Sequence, residues 1–170
     1  EDKVGLKKNS LFDNQKNVKQ DTIKKFSSKL SIAKKSKVSN DFMIVARIES
    51  FILGKGFKDA MKRAEAYVKA GADAILIHSK EKDPSEIFKF GNEFFKSEYY
   101  KPIIAVPSTY SKTFEKDLIK NKISIVIYAN HLLRASYPAM LNTAKSILKK
   151  KRSFETEKNI VPIKNIISII

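Results

Sequence analysis

The sequence predicts an α/β fold in which about four parallel strands alternate with helices. Four short runs are rich in β-branched residues and show no polar alternation, which is typical of strands covered on both faces. A helical pattern follows each run, and strands that alternate with helices indicate parallel βαβ units. The predicted strands span residues 42–47, 74–78, 103–106 and 123–129.

Helix signals lie between and around these strands. After the first strand, Ala60, Met61 and Ala64 fall on one stripe, and Gly71 follows as a stop signal. The run Asp-Pro-Ser-Glu at 83–86 combines an N-cap, a proline at the first helical position and a capping box. The predicted helices span residues 21–35, 57–70, 83–95, 113–121 and 132–150. The last of them is a long helix that follows the fourth strand.

The composition indicates one packed domain. A chain of 170 residues with 42% hydrophobic content can bury one core, although most complete (β/α)₈ barrels are longer. The absence of cysteine excludes disulfides, thiolate metal sites and cysteine nucleophiles. The sequence carries no apolar leader and no apolar run near the roughly 20 residues that span a bilayer. We therefore expect a cytoplasmic protein with no membrane partner.

The net charge of +16 raises the question of a nucleic-acid partner. Lysines are spread through almost every polar segment, whereas the chain has only four arginines, Arg47, Arg63, Arg134 and Arg152. Proteins that read bases or clamp phosphates usually rely heavily on arginine. The pattern therefore favours a solvated basic surface and no nucleic-acid partner, with a polyanion partner as the alternative.

Polar side chains follow every predicted strand. The C-terminal ends of parallel strands form the active-site face of a (β/α)₈ barrel. Polar residues at the end of one strand are most simply explained by the loop that follows. Because all four predicted strands end in polar residues, a shared site is favoured. The residues concerned are Arg47, Glu49, His78, Ser79, Ser108, Thr109, Asn130 and His131.

Residues 1–20 differ from the rest of the chain. The segment is polar, has few apolar residues and precedes the first predicted helix. Long loops inside compact domains are typically lids or binding loops. We therefore interpret residues 1–20 as a gating loop.

Several segments together carry a specific pattern. They are EDK at 1–3, KKNSL at 7–11, IVARIE at 44–49, AMKRAEAYVKAGAD at 60–73, IHSK at 77–80 and YANH at 128–131. The combination resembles the phosphoenolpyruvate mutase family of the isocitrate lyase superfamily. The resemblance runs along nearly the whole chain and includes the closing segment IVPIK at 160–164.

The resemblance implies that residues 1–170 form the C-terminal half of one (β/α)₈ TIM-type barrel with a C-terminal helical extension. It also implies interconversion of phosphoenolpyruvate and phosphonopyruvate with Mg²⁺ as cofactor. Glu1 would help to hold Mg²⁺ through a bound water. The family's Ser-Gly-Leu substrate-binding segment and its main Mg²⁺-binding aspartates precede the position of Glu1. We therefore expect a longer protein, of which this piece alone is inactive.

The resemblance also implies a set of catalytic residues. Lys7, Asn9 and Ser10 would lie on the gating loop that closes over the substrate. Arg47 and His78, together with Asn9 and Ser10, would hold the phosphoryl group. Phosphoryl transfer requires such residues, because a migrating phosphoryl group spreads negative charge over three oxygens. A planar guanidinium can donate hydrogen bonds to two of these oxygens.

Two other activities compete with the mutase reaction. A phosphonopyruvate hydrolase would share the scaffold but transfer the phosphoryl group to water, and Asn9 favours the mutase over it. A non-catalytic protein that binds a polyanion is the alternative from another class. The run Lys7-Lys8-Asn9-Ser10 stands where isocitrate lyases carry Lys-Lys-Cys-Gly-His, which argues against their carbon–carbon lyase reaction.

The C-terminal part of the sequence predicts a homo-oligomer. An apolar stripe on the helix at 132–150 needs cover, and relatives swap this helix between subunits. We therefore expect residues 132–170 to pack on a partner subunit in a helix-swapped dimer or tetramer. The stripe consists of Leu133, Tyr137, Met140, Leu141, Ala144, Ile147 and Leu148.

Overall fold

The computed structural model describes residues 1–5, 8–12, 15 and 17–169. In chain order its elements are β1 (Lys3–Val4), β2 (Lys19–Gln20), α1 (Ile23–Lys35), β3 (Val45–Ile48), α2 (Gly56–Lys69), β4 (Ala74–Ile77), α3 (Ser85–Phe94), β5 (Ile103–Ala105), α4 (Glu115–Lys120), β6 (Ile125–Val126), α5 (His131–Lys150), a 3₁₀ helix (Phe154–Asn159) and α6 (Ile163–Ile167). The chain divides into two compact units, Glu1–Ala129 and Asn130–Ile170.

A parallel sheet forms the centre of the first unit. Its strand order is β3-β4-β5-β6, so each strand pairs with the next one in sequence. Arg47 lies opposite Leu76, and Ile48 lies opposite Ile77. This order and direction confirm the predicted βαβ units.

All four strands are shorter than the predicted runs, and the first and the fourth differ most. The first predicted strand, 42–47, begins only at Val45, and the fourth, 123–129, is reduced to Ile125–Val126. Ladder hydrogen bonds nevertheless continue beside β6, because Ser124 donates to Ile103 O at 2.9 Å and Ile127 donates to Ala105 O at 2.9 Å. The first and fourth runs lie at the edges of the sheet and are not covered on both faces as predicted, since Val45 is 38% exposed and Ile125 is 41% exposed. An apolar run predicts a strand, whereas its length and burial depend on a neighbouring strand.

Helices α1, α2 and α3 bury apolar faces in one core with the sheet. Phe26 of α1 packs on Tyr67 of α2 with ring centroids 4.7 Å apart. Phe90 and Phe94 of α3 stack at 5.5 Å. Helix α1 begins after Thr22, whose side chain accepts a hydrogen bond from Lys25 N at 3.2 Å.

The predicted start of α3 needs a correction. The helix begins at Ser85, so Pro84 precedes its first residue, and Glu86 does not form the expected capping box. Its carboxylate instead accepts a hydrogen bond from Ser79, which follows β4. The tertiary contact replaces the local one because a buried hydroxyl needs a partner.

The second unit contains α5, the 3₁₀ helix and α6. Helix α5 ends at Lys151, whose left-handed backbone (φ 56°) lets its N–H donate to Ile147 O at 2.7 Å. Thr156 of the 3₁₀ helix is buried, whereas α5 buries none of its residues. No helix in the described part of the chain is long and apolar enough to cross a membrane.

Candidate active site

The N-terminal segment is attached to the sheet at the C-terminal end of β3. Asp2 N donates to Arg47 O at 3.1 Å, and Asp21 N donates to Asp2 O at 2.7 Å. Strands β1 and β2 then pair antiparallel, with Lys3 opposite Gln20. This pairing closes the base of the β1–β2 loop, residues 5–18, and brings that loop to the ends of the parallel strands.

Arg47 is the centre of a polar cluster at this end of the sheet. Its Nε donates to Glu49 Oε1 at 2.5 Å, and its Nη2 donates to Ser10 Oγ at 2.8 Å. The same Nη2 lies 3.0 Å from His78 Nδ1, and Nη1 lies 3.5 Å from Glu1 Oε2. The structure therefore brings together Ser10, Arg47 and His78, as the sequence predicts, and places Glu1 beside them.

Glu49 is a member of the cluster that the sequence analysis places at a polar strand end but does not include among the catalytic residues. Its carboxylate is fully buried, accepts from Ser10 Oγ at 2.6 Å and lies 3.3 Å from Lys3 Nζ. Burial alone would raise the pKa of Glu49, but hydrogen bonds from His78 and Ser10 and the charge of Arg47 outweigh burial and lower the pKa to about 2. Glu49 is thus a permanent anion that orients the donors around it. The signal was its position two residues after Arg47, which gives both side chains the same strand face.

Every hydrogen-bonding position of the Ser10 hydroxyl is occupied. It is buried, and its Oγ accepts from Lys3 Nζ at 2.8 Å and from Arg47 Nη2 while donating to Glu49. A hydroxyl has one donor and two acceptor sites, so all three are used. Lys3 Nζ also donates to Lys8 O at 2.9 Å, which fixes the backbone next to Ser10.

The position of the proton on His78 depends on which neighbour it bonds. A guanidinium can only donate, so the Arg47 contact requires Nδ1 without a proton. The contact between His78 Nδ1 and Glu49 Oε1 at 3.4 Å requires a proton there. Nδ1 of a neutral ring can therefore accept from Arg47 or donate to Glu49, but not both at once. An anion that occupied Arg47 Nη2 would release Nδ1 to donate to Glu49.

Asn9 does not join the cluster in this structure. Its side chain is exposed, and its Oδ1 accepts from Leu11 N at 2.9 Å in a local turn. Its carbonyl accepts from Gln15 Nε2 at 2.9 Å. In the described ranges no hydrogen bond links the Asn9 side chain to Arg47 or His78. Lys7 lies outside the described residues, so its predicted role stays a prediction.

The described residues supply little of a metal site. No group of three or more His, Cys, Asp or Glu side chains among them could hold a metal ion. The Asp2 carboxylate is buried and bound to four donors, and Glu49 is enclosed by its own partners. Glu1 is the carboxylate that fits Mg²⁺, because its side chain is 16% exposed and Mg²⁺ commonly uses one or two carboxylates with waters and substrate oxygens.

Comparison with known proteins identifies the family. A family model described as phosphoenolpyruvate phosphomutase matches residues 1–148. The chain belongs to this family. The phosphoenolpyruvate phosphomutase of Tetrahymena pyriformis is 39% identical over 166 residues, which make up 98% of this chain and 54% of that relative. The chain thus spans about half the length of the curated relatives it matches.

Solved structures agree with the phosphomutase family. The crystal structure of phosphoenolpyruvate phosphomutase from Streptomyces platensis subsp. rosaceus has a TM-score of 0.88 and 34% identity, covering 98% of this chain and 56% of that one. A phosphonopyruvate hydrolase in complex with oxalate and Mg²⁺ has a TM-score of 0.79 and 35% identity, covering 88% of this chain and 52% of that one. The parallel sheet is therefore part of the TIM-barrel-like phosphomutase fold, and the predicted fold class is confirmed.

Proposed function

We propose that the whole protein is a phosphoenolpyruvate mutase that interconverts phosphoenolpyruvate and 3-phosphonopyruvate. The reaction moves one phosphoryl group between an oxygen and a carbon of the same molecule. The observation that carries the proposal is the meeting of Arg47, Ser10 and His78 at the C-terminal ends of β3 and β4. Phosphoryl transfer depends on positioning and charge stabilisation, and this cluster concentrates donors beneath a loop.

The Arg47 guanidinium is the main candidate for binding the phosphoryl oxygens. Its side chain is 31% exposed, so an anion can reach it without unfolding the cluster. Glu49 holds Nε and so fixes the plane of the guanidinium. A phosphoryl oxygen that accepts from Nη2 would compete with Ser10 and His78 for this donor. In the tautomer with its proton on Nε2, His78 would instead donate to a second phosphoryl oxygen.

The β1–β2 loop would keep water away from the transferred group. Ser10 already lies over Arg47, and a rotation of its hydroxyl from Glu49 to the substrate would give one more donor. Asn9 would have to turn inward from its exposed position, where its amide N–H₂ could donate without adding charge. Lys7 on the same loop would contribute a positive charge. Exclusion of water matters because a loosely held phosphoryl group hydrolyses.

Mg²⁺ is the cofactor that we propose, with Glu1 acting through a bound water. The ion would supply positive charge that neutralises the anionic substrate. The described residues offer Glu1 and no complete ligand set, so Glu1 would be one member of a larger set. The phosphonopyruvate hydrolase complex with Mg²⁺ and oxalate supports a magnesium-dependent family.

We also propose that the protein is a cytoplasmic homo-oligomer in which residues 132–170 pack on a partner subunit. Helix α5 buries none of its residues, and its predicted stripe includes Leu133 at 69% exposure and Tyr137 at 63%. Apolar side chains of this size are normally covered in the assembled protein. Light scattering on the full-length protein tests this proposal, and a monodisperse monomer would contradict it.

The second candidate function is hydrolysis of phosphonopyruvate to pyruvate and phosphate. The observation that favours it is the 35% identity to a phosphonopyruvate hydrolase, close to the identity with the phosphomutase structure. Asn9 distinguishes the two candidates, since we expect hydrolases to carry a different residue at this position of the loop. A neutral amide touching the phosphoryl group protects it from water, as mutase chemistry requires.

A product assay separates the two candidates. The full-length protein is given phosphonopyruvate and Mg²⁺, and phosphoenolpyruvate and inorganic phosphate are measured separately. Phosphoenolpyruvate as the main product is the expected result. Pyruvate with stoichiometric phosphate would contradict the mutase proposal and support the hydrolase. If neither phosphoenolpyruvate nor phosphate forms, the polyanion-binding alternative remains.

A further inference from the structure

Arg63 is a buried arginine in α2 that the proposed reaction does not use. Its side chain is 9% exposed and lies on the face that α2 buries with Ala60, Ala64 and Tyr67. A buried charge is costly unless it is paired and hydrogen-bonded. The placement of such a group on the buried face of a helix calls for a specific partner.

Within its own helix, Arg63 Nε donates to Asp59 Oδ2 at 2.8 Å, and its other partners include residues on both sides of the β1–β2 loop. Nη1 donates to Asp21 O at 2.9 Å and lies 3.2 Å from Asp2 Oδ2. Asp2 directly precedes β1, and Asp21 directly follows β2. Tyr67 OH accepts from Nη1 at 2.7 Å and donates to Asp2 Oδ2 at 2.9 Å. One guanidinium therefore joins the two roots of the loop.

The network continues from Asp2 into the candidate active site. Asp2 Oδ1 accepts from Glu49 N at 3.0 Å, and its Oδ2 accepts from Gln20 Nε2 at 2.9 Å. Burial raises the pKa of Asp2, while hydrogen bonds from Gln20, Glu49 N–H and Tyr67 and the charge of Arg63 oppose that effect. Asp2 is also the neighbour of Glu1. A shift of Asp2 would therefore move the loop root and the backbone that carries both glutamates.

The short β ladder cannot fix the loop by itself. It contains two residue pairs, Lys3 with Gln20 and Val4 with Lys19. Isolated two-stranded ribbons are at best marginally stable in water, even when they are longer than this one. Further contacts are needed to hold the two ends of the loop in one register. The hydrogen bonds of Arg63 to Asp2 and Asp21 provide such contacts.

We propose that Arg63 is a positioning residue that sets the geometry of the β1–β2 loop through Asp2 and Asp21. The proposal rests on the proposed function in one respect, namely that this loop excludes water from the phosphoryl group. Arg63 touches no reacting atom. It acts by holding the loop so that Ser10 lies against Arg47, and its loss would release the loop.

The experiment compares Arg63→Lys with the matched control Lys29→Met in the full-length protein. Lysine keeps the charge but has a single nitrogen, so it cannot bind Asp59 as Nε does and also reach Asp2 and Asp21 O as Nη1 does. Lys29 pairs with the same Asp21 at 2.7 Å, but its side chain is 60% exposed. Amide hydrogen exchange is measured without substrate in residues 3–20 and in β4 and β5, and product partition, kcat and KM are measured with phosphonopyruvate.

The expected result is faster exchange in residues 3–20 of Arg63→Lys, with β4 and β5 unchanged. Turnover should fall about tenfold, as is typical when a supporting partner around a site is lost, with a smaller change in KM. The share of phosphonopyruvate that ends as pyruvate and phosphate should rise. Lys29→Met should match the wild type in all three measurements.

Two outcomes would overturn the proposal. One is unchanged exchange in residues 3–20, and the other is an equal rise there and in β4 and β5, which would make Arg63 only a general stabiliser. If Arg63→Lys does not fold, Tyr67→Phe removes one hydroxyl from the same network and must show the same local pattern. A wild type that makes no phosphoenolpyruvate refutes the proposed function, whereas the exchange comparison still decides the role of Arg63.

Discussion

Arg47 and Arg63 both bind carboxylates near the β1–β2 loop, but they differ in exposure and in the nature of their partners. Arg47 is 31% exposed and is bonded to the side chains of Glu49, Ser10 and His78. Arg63 is 9% exposed and also bonds a backbone carbonyl. A ligand can reach the partly exposed guanidinium of Arg47, whereas the guanidinium of Arg63 is enclosed. The difference separates an arginine that can bind substrate from one that holds the fold.

The largest expected effects come from replacing each of these two arginines with methionine and comparing activity and stability. Arg47→Met should lower kcat/KM by about 10³-fold, because a charged donor in a preorganised site is lost. Its cost in stability should be smaller than that of Arg63→Met, because the buried Glu49 keeps Lys3 Nζ as a cation at 3.3 Å. Arg63→Met should instead lower the free energy of unfolding by about 3 kcal/mol, because it leaves Asp2 buried without its cation.

Steady-state kinetics and urea unfolding of both variants check this prediction. The comparison between the two arginines fails if Arg47→Met unfolds as readily as Arg63→Met. It also fails if Arg47→Met retains wild-type kcat/KM.

Glu49→Gln tests whether the Arg47 cluster depends on a permanent anion. The folded pKa of Glu49 is about 2 against an ordinary value of 4.5, so its contribution is fully present above pH 4.5 and is lost as pH falls through about 2. The free energy of unfolding of the wild type should therefore exceed that of Glu49→Gln by about 3 kcal/mol at pH 6. This difference should disappear as the pH falls toward 2. Urea unfolding of both proteins across this range is the measurement, and a gap independent of pH would contradict the assignment.

Asn9→Ala extends the comparison to the exposed part of the loop. If the Asn9 amide turns inward during the reaction, kcat should fall on the order of 10²-fold with little change in KM. Asn9→Asp is the matched variant, because it keeps the oxygen that accepts from Leu11 N and loses the amide donors. Unchanged turnover in Asn9→Asp would show that the amide does not donate to the phosphoryl group.

Lys29→Met should have the smallest effect. Its ion pair with Asp21 is short, but the ammonium lies in water, where such pairs contribute little. We expect the midpoint of urea unfolding and kcat to stay within experimental error of the wild type. A measurable loss would mean that the loop root depends on surface charge as well as on Arg63.

Sequence reasoning reached much of the candidate site. Arg47 and His78 are predicted because they follow apolar strands, and parallel strands end on one side of the sheet. Ser10 is predicted through the resemblance of its loop to a known family. Glu49 lies in the segment IVARIE that carries this resemblance, yet its role depends on the simultaneous approach of Ser10, Lys3 and His78.

The sequence by itself determined the order of strands and helices, the parallel sheet and the family, because apolar blocks, helix stop signals and specific motifs are local. The tertiary structure decided the exposed position of the Asn9 side chain, the buried carboxylates of Glu49 and Asp2, and the joining of Asp2 to Asp21 by Arg63. Arg63 is separated from Asp2 by 61 positions. The energy of such a contact comes from desolvation and pairing after the chain has folded, so no local pattern records it.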